Sequence, residues 1–381
     1  MDVNGEVRSY VLSNVAEVVE RILSFVPTKS LLRMSSVCRL WRNCAQRVLR
    51  TQQQLTWLSS SGSYRYHDGH LLLQTLSEEL ENIYLLPRTA LLMVDSENFT
   101  SPECCYQQKK ARRNNSEDPD FSELLKVLLP NNCETVGVAT PGIILTPTGF
   151  PGAPPEEHED GQAGFALLLP HIEGLRVRPF HFCKHTLNNR ALEHAGLVGN
   201  PDLKVVLLFG YMAFKSGASR FLNQLLEPLS HTNALIAGGH VEKAFCPHRE
   251  CCSAGAYGVV GLALSGSGVQ GASVLLEQEV SSAAAAEATL QRLKAANIPE
   301  RNTVGLMFAC VGRGHNYYSN QRNVEAAAFR KVFPNIPLFG FFGNGEIGCD
   351  RIVKDNYTLS HTDTDGLQHG YTTVMSLVHL G

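Results

Sequence analysis

The sequence is short of net charge, of long apolar runs, and of any cysteine spacing that a disulfide or zinc framework requires. Over 381 residues, 33 Lys and Arg stand against 36 Asp and Glu, a formal charge of −3. Without a basic field across the chain, sequence-independent nucleic-acid binding has no support, and any electrostatic partner must be met locally. The richest apolar stretches, 205–209 and 337–342, fall far short of the ~20 residues that cross a bilayer, so no membrane span is expected. The opening residues lack the basic start and apolar run of a secretory leader, which points to a reducing compartment and free thiols.

Eleven cysteines include the adjacent pairs Cys104-Cys105 and Cys251-Cys252, an arrangement that makes no small disulfide scaffold. Two clusters invite comparison with metal sites: Cys246, His248, Cys251 and Cys252 in a loop, and His181, Cys183 and His185 on one face of a strand by its period of two. Neither has the paired spacing of structural zinc, so no metal is expected. The glycine turns Gly312-Arg313-Gly314 and Gly343-Asn344-Gly345 match neither a dinucleotide fingerprint nor a P-loop, and no cofactor is expected. Glu346 and Asp350 have no nucleophile, base and orienter around them, and no catalytic residue is assigned.

What is present is an ordinary globular composition, 44% hydrophobic and 18% charged, sufficient for two or three units. Residues 10–50 read as short helices. Val18, Val19, Ile22 and Phe25 sit at helical spacing until Pro27 forbids continuation, and Thr28 is placed to cap the next start. Leu31, Leu32 and Met34 form the next apolar turn. A third helix carries Leu40, Trp41, Cys44 and Val48 among Arg39, Arg42, Arg47 and Arg50. A unit of ~40 residues buries too little surface to stand alone, so its apolar face calls for a partner chain. Trp41-Arg42-Asn43 brings a homeodomain recognition helix to mind, but the Trp–Asn separation is wrong and residues 1–10 offer no basic arm, so no direct nucleic-acid contact is expected.

Beyond Trp57 short β-branched and aliphatic runs alternate with helical stretches, the pattern of α/β structure. A weak repeat is visible. Strand 90–94, helix 121–129 and strand 135–139 precede a hairpin over 164–182; strand 204–209, helix 217–229 and strand 233–237 precede a hairpin over 258–276; strand 303–308, helix 324–333 and strand 337–342 precede a closing strand 371–380. At roughly a hundred residues per round this is duplication inside a globular fold and not a solenoid. Residues 109–120 and 148–162 read as polar surface loops.

The N-terminal pattern 18–27, then Leu31-Leu32, then Val37-Cys38-Arg39-Leu40-Trp41, resembles an F-box. The segments 297–300, 305–314, 325–330 and 337–348 resemble the FIST C-terminal domain. The resemblance implies an α+β chain: an all-α three-helix F-box over 10–57, followed by two α/β FIST-like halves with mixed sheets, N-terminal over 84–250 and C-terminal over 256–381. It implies a non-catalytic substrate receptor that binds the adaptor Skp1, and through it a cullin and a RING subunit, and that promotes ubiquitylation and degradation of protein substrates. Val19, Ile22, Leu31, Leu32 and Trp41 are the expected anchors on Skp1, because apolar and aromatic groups dominate interface energetics. In stand-alone sensory proteins the FIST module is associated with small ligands, and a ligand sensor with the ligase link as readout stays open as the alternative.

Two further expectations come from the residues. Lys109, Lys110, Arg112 and Arg113 form a dense basic cluster suited to nuclear import, giving a distribution over cytoplasm and nucleus; a merely solvated loop is the bland counterpart. The substrate surface is expected where the third-round strands end, around Cys310, Arg313, Asn344 and Glu346, since α/β sheets bind beyond the carboxyl ends of parallel strands. There Arg313 would favour the Cys310 thiolate, unless Cys310 is simply a small buried apolar residue.

Overall fold

The computed structural model describes residues 10–62, 71–96, 121–160, 162–245, 256–354, 358–360 and 366–381. Among the described residues a short helical stretch over 10–14 precedes α1 (Ala16–Leu23), α2 (Thr28–Met34) and α3 (Arg39–Thr51). Pro27, not Thr28, holds the N-cap place of α2, because its fixed φ suits a helix entry and its missing N–H costs nothing there. Thr28 is the first helical residue and is buried. Val19, Leu23, Leu31, Cys44, Ala45 and Val48 form the module's core, with Trp41 and Leu49 packed at its edge.

The body follows in the order β1 (Thr56–Gly62), α4 (Leu71–Glu79), β2 (Thr89–Asp95), α5 (Phe121–Leu128), β3 (Glu134–Thr140), β4 (Gly142–Leu145), β5 (Glu156–His158), β6 (Gln162–Leu169) and β7 (Arg176–Cys183). Then come α6 (Asn189–His194), β8 (Leu203–Tyr211), α7 (Ala218–Ser230), β9 (Leu235–Val241), β10 (Lys243–Phe245), β11 (Gly258–Ser265) and β12 (Gln270–Leu276). The last stretch holds α8 (Ala283–Ala295), β13 (Thr303–Cys310), α9 (Val324–Val332), β14 (Leu338–Gly343), β15 (Glu346–Gly348), β16 (Arg351–Val353), β17 (Thr358–Ser360), β18 (Gln368–His369) and β19 (Thr373–His379).

One plan is used three times. A parallel pair joined through a helix is backed by an antiparallel return strand: β2, β3 and β6; β8, β9 and β11; β13, β14 and β19. The sheets run β1-β6-β2-β3-β10, β7-β11-β8-β9-β15-β18 and β17-β16-β12-β19-β13-β14-β4-β5. They are interlocked, because each parallel pair hands its next strand to a neighbour: β4 leaves β3 to pair with β14, β10 leaves β9 to pair with β3, and β15 leaves β14 to pair with β9. The exchange is cyclic. Consequently two of the three sheets, the six- and the eight-stranded ones, draw strands from both sides of residue 250.

The two expected hairpins do not form. β6 and β7 lie in different sheets, as do β11 and β12. The turns at 172–174 and 265–268 reverse the chain, but strand pairing is settled by burial on both faces, and the next sheet supplies a better neighbour than the adjacent strand.

The inner faces of all three sheets meet in one core. Phe209 and Phe308 pack at 5.8 Å, Phe308 and Phe341 at 5.0 Å, and Phe165 and Phe339 at 4.9 Å between ring centroids. Helices cover the outer faces: α4 and α5 through Leu72, Leu76 and Leu125, α6 and α7 through Leu192, Leu222 and Leu225, α8 and α9 through Leu290 and Phe329. Strands buried on both sides explain why they read as continuous apolar runs and not as alternation. A glycine recurs in the second strand of two rounds, Gly238 opposite Leu208 and Gly340 opposite Met307. A Cβ at either would lie 1.8 or 1.7 Å from the facing carbonyl oxygen, so only glycine allows that approach.

The helical module sits on the body through few contacts. The Thr28 N–H donates to the Ile83 carbonyl at 2.8 Å, and Lys29 pairs with Glu81. Asn302 accepts from the Leu55 N–H at 3.1 Å and donates to the Gln53 carbonyl.

Candidate functional site

The first candidate surface is on the helical module. Along α1 and the turn that follows it, positions 18, 22 and 25 form one stripe and 19, 23 and 26 another, offset by about one residue of helical rotation. Val19 and Leu23 face the core, while Val18, Ile22 and Phe25 face out, Phe25 being 65% exposed. Leu32 and Val37 extend the same kind of exposure onto α2 and the turn after it. Five large apolar side chains left to solvent on so small a module form the patch that marks a docking surface.

Of the anchors expected from sequence, Ile22 and Leu32 stand on this surface. Val19 and Leu31 are buried inside the module, on the inward stripe. Trp41 is half-buried, its Nε1–H donating to the Leu12 carbonyl at 2.9 Å, so it pins the segment before α1. Val18, Phe25 and Val37 are not among the anchors expected from sequence, although the two-stripe spacing over 18–26 was the signal that could have found the first two.

The second candidate lies where parallel strands end. Beyond β8 and β9 a cleft of about 740 Å³ opens, with Met212, Phe214, His240, Glu242, Asn344 and Gln368 in its wall. Phe214 is 82% exposed, and Met212 holds a left-handed φ of 55°. Burial lowers the His240 pKa, which keeps the ring neutral at pH 7, and its Nδ1 has no hydrogen-bond partner among the described residues.

The equivalent space beyond β13 is filled by the chain itself. Arg313 is fully buried and its donors are all engaged: Nε to Glu325 at 2.8 Å, one terminal nitrogen to the carbonyls of Glu277 and Tyr371, the other to the Val280 carbonyl and the Tyr318 hydroxyl. Burial works against the charge, but Glu325 and the tyrosines outweigh it and raise the guanidinium pKa. Next to this cluster Glu159 accepts from the His315 N–H at 2.6 Å and contacts its Nδ1 at 2.8 Å.

The four residues expected to line the substrate surface therefore divide. β13 and β14 run side by side with Cys310 opposite Gly343. Asn344 is exposed and lines the open cleft. Cys310 is buried at the strand end, and Glu346 is buried beside it, accepting from the Thr372 N–H at 3.2 Å and hydroxyl at 2.7 Å. Burial pushes the Glu346 carboxyl up to about 7, against the Thr372 hydrogen bonds and smaller pulls from Arg313 and the Cys310 thiol. The Arg313 guanidinium is committed to three carbonyls, the Tyr318 hydroxyl and Glu325. Sequence placed it at a surface because nothing local announces the three carbonyls that surround it.

The basic cluster Lys109, Lys110, Arg112 and Arg113 and the loop cysteines 246, 251 and 252 lie outside the described residues. His181 contacts the Tyr211 hydroxyl at 2.8 Å, and Cys183 is disulfide-bonded, a departure from the expected free thiols that removes its thiolate from any metal set. No group of three or more metal-ligating side chains occurs among the described residues. No helix among them is long and apolar enough to cross a membrane.

Comparison with known proteins adds the following. The F-box domain family matches residues 16–53, and the FIST C domain family matches residues 261–349. F-box only protein 22 of Homo sapiens is 51% identical over 383 residues, covering 98% of this chain and 94% of that protein. The protein of the same name from Pongo abelii is 50% identical with the same coverage. Among solved structures, a cyanuric acid hydrolase from A. caulinodans aligns over 86% of this chain and 99% of its own at 10% identity, with a TM-score of 0.37, too low to bear on fold or chemistry.

Proposed function

The chain belongs to the F-box only protein 22 family, and we propose that it serves as the substrate-recognition subunit of a Skp1–cullin–F-box ubiquitin ligase, promoting ubiquitylation and degradation of the proteins it holds. The observation that carries this reading is the outward stripe Val18, Ile22 and Phe25, continued by Leu32 and Val37, on a module whose own core is only six buried side chains. Such a face is stable in water only at a cost, and covering it with an adaptor removes that cost. The mechanism is proximity: with the helical module on Skp1 and a substrate on the three-sheet body, a substrate lysine is held at high effective concentration near a charged conjugating enzyme.

The reading is tested by co-purification with Skp1. Ile22→Ala with Phe25→Ala should remove two exposed anchors worth ~2 kcal/mol each or more at an interface centre and abolish capture, while thermal melting of the body is unchanged. Capture at the wild-type level would end the proposal.

Of the four residues expected at the substrate surface, Asn344 lines the open strand-end cleft, and the cleft is proposed as that surface. Its size and mixed lining keep one second reading in view, a small-ligand pocket. A metabolite that raises the melting temperature of the protein without Skp1, and loses that effect in Asn344→Ala, would favour the sensor. Distribution over cytoplasm and nucleus is proposed from Lys109, Lys110, Arg112 and Arg113; neutralising the four should enrich the protein in the cytoplasm, and an unchanged image would assign them to solvent.

A further inference from the structure

The junction between the helical module and the body carries a second cleft, of about 610 Å³. Its floor is apolar, Leu49 from the last turns of α3 facing Leu86 and Pro170 of the body. Its rim carries an arginine from each side, Arg50 on α3 and Arg88 on the body, both exposed, with His171 beside them. Among the described residues neither arginine side chain has an ion-pair or hydrogen-bond partner, although Glu173 stands at the same rim and the ion pair Lys29–Glu81 shows that the module and body can neutralise each other elsewhere. A smaller hollow of about 290 Å³ continues from His171 and Glu173 towards Arg176.

We infer that this junction cleft is a docking site for an extended acidic peptide segment of a protein substrate, with one apolar side chain seated on Leu49, Leu86 and Pro170 and flanking carboxylates on Arg50 and Arg88. The charge argument is specific to arginine. A guanidinium with no partner keeps its planar fork open for a carboxylate, and two of them across an apolar floor favour acidic residues on both sides of an apolar one. The site needs both units, since α3 supplies one wall and the strand ends before β2 and after β6 the other. It also leaves the outward stripe of α1 uncovered, so Skp1 and the acidic segment bind without competing. The inference rests on the substrate-receptor reading and names the chemistry of one recognition element within it.

The test uses the full chain in complex with Skp1 and fluorescence anisotropy with a labelled decapeptide of glutamates around a central leucine; the counterpart with lysines is the control. Binding of the acidic probe should weaken with added salt, and Arg50→Glu and Arg88→Glu should each weaken it about tenfold or more, as loss of a charge-assisted hydrogen bond does. Arg220→Glu, on α7, should leave it unchanged. Arg88 lies outside the helical module, so its variant decides the matter even if Arg50→Glu perturbs Skp1 capture. Equal binding of both decapeptides, no binding of the acidic one, or no response to Arg88→Glu overturns the inference, while intact Skp1 capture in the same samples leaves the ligase reading standing.

Discussion

The helical module and the three-sheet body bury apolar residues in opposite ways. In the module, six apolar side chains are enclosed, others are only partly covered, and at least five large ones are left outside. In the body, β2, β6, β11 and β13 are buried along their whole length, and the exchanged strands β4, β10 and β15 tie each sheet to another. The contrast separates two jobs. On the proposed reading, a surface that an adaptor covers can remain incomplete in the free chain, whereas a body that presents strand ends in fixed geometry has to close on itself.

The sharpest way to break the contrast is to attack the body where it is most closed. Arg313→Ala strands Glu325 as an unpaired buried charge and frees the carbonyls of Glu277, Val280 and Tyr371. The expected loss is about 3–5 kcal/mol in chemical denaturation of the body, with Skp1 capture by the module retained. If the loss were within 1 kcal/mol on this scale, the network would be ornamental and the body looser than described.

Proton uptake separates the regions next. Glu157 and Glu346 are pushed from the ordinary 4.5 up to about 8 and about 7, each chiefly by burial, with Glu325 adding repulsion at Glu157. A carboxyl whose pKa is raised in the folded state binds its proton more tightly when folded. Its stabilising share is therefore complete below pH ~4.5 and is lost as pH rises through 7 to 8. For Glu346 the change is on the order of 2–3 kcal/mol. Melting of the body between pH 5 and 8.5 should fall with pH, and Glu346→Gln should flatten the curve; a flat wild-type curve would contradict the burial of these groups.

Within the module a smaller comparison sharpens the two-stripe description of α1. Val19→Ala removes two buried methyl groups and should cost about 1–2 kcal/mol of module stability, whereas Val18→Ala, one residue away, should cost under 0.5 and act on Skp1 affinity instead. Hydrogen exchange at α1 amides distinguishes the two; equal effects would erase the division into core and docking stripes.

The smallest effect belongs to the join. Lys29 and Glu81 are both about half-exposed, so Lys29→Ala should cost no more than about 1 kcal/mol, and less in high salt. A larger loss would mean that module and body fold as one cooperative unit.

Much of this is legible in the amino-acid sequence. The order of helices over 10–50, and the recurrence of strand, helix and strand with glycine at the second strand's end, are written in windows of a dozen residues, because helical and strand periodicities are local properties of the backbone. Trp41 was expected as an anchor on Skp1; in the fold its Nε1–H donates to the Leu12 carbonyl, a contact fixed by tertiary structure. The outward stripe was legible in principle, since spacing alone divides 18, 22 and 25 from 19, 23 and 26.

Tertiary structure decided the rest. That β6 and β7 part company, that β4 pairs with β14 almost two hundred residues on, and that three sheets share one core are outcomes of burial on both strand faces, and no turn sequence contains that information. The fate of Arg313 is the clearest case. In sequence it is a cation in a glycine turn, as exposed as any other; in the fold, carbonyls from residues 277, 280 and 371 and the carboxylate of Glu325 converge on it. A charge can be buried only when distant partners satisfy every donor, and distance along the chain hides those partners from sequence.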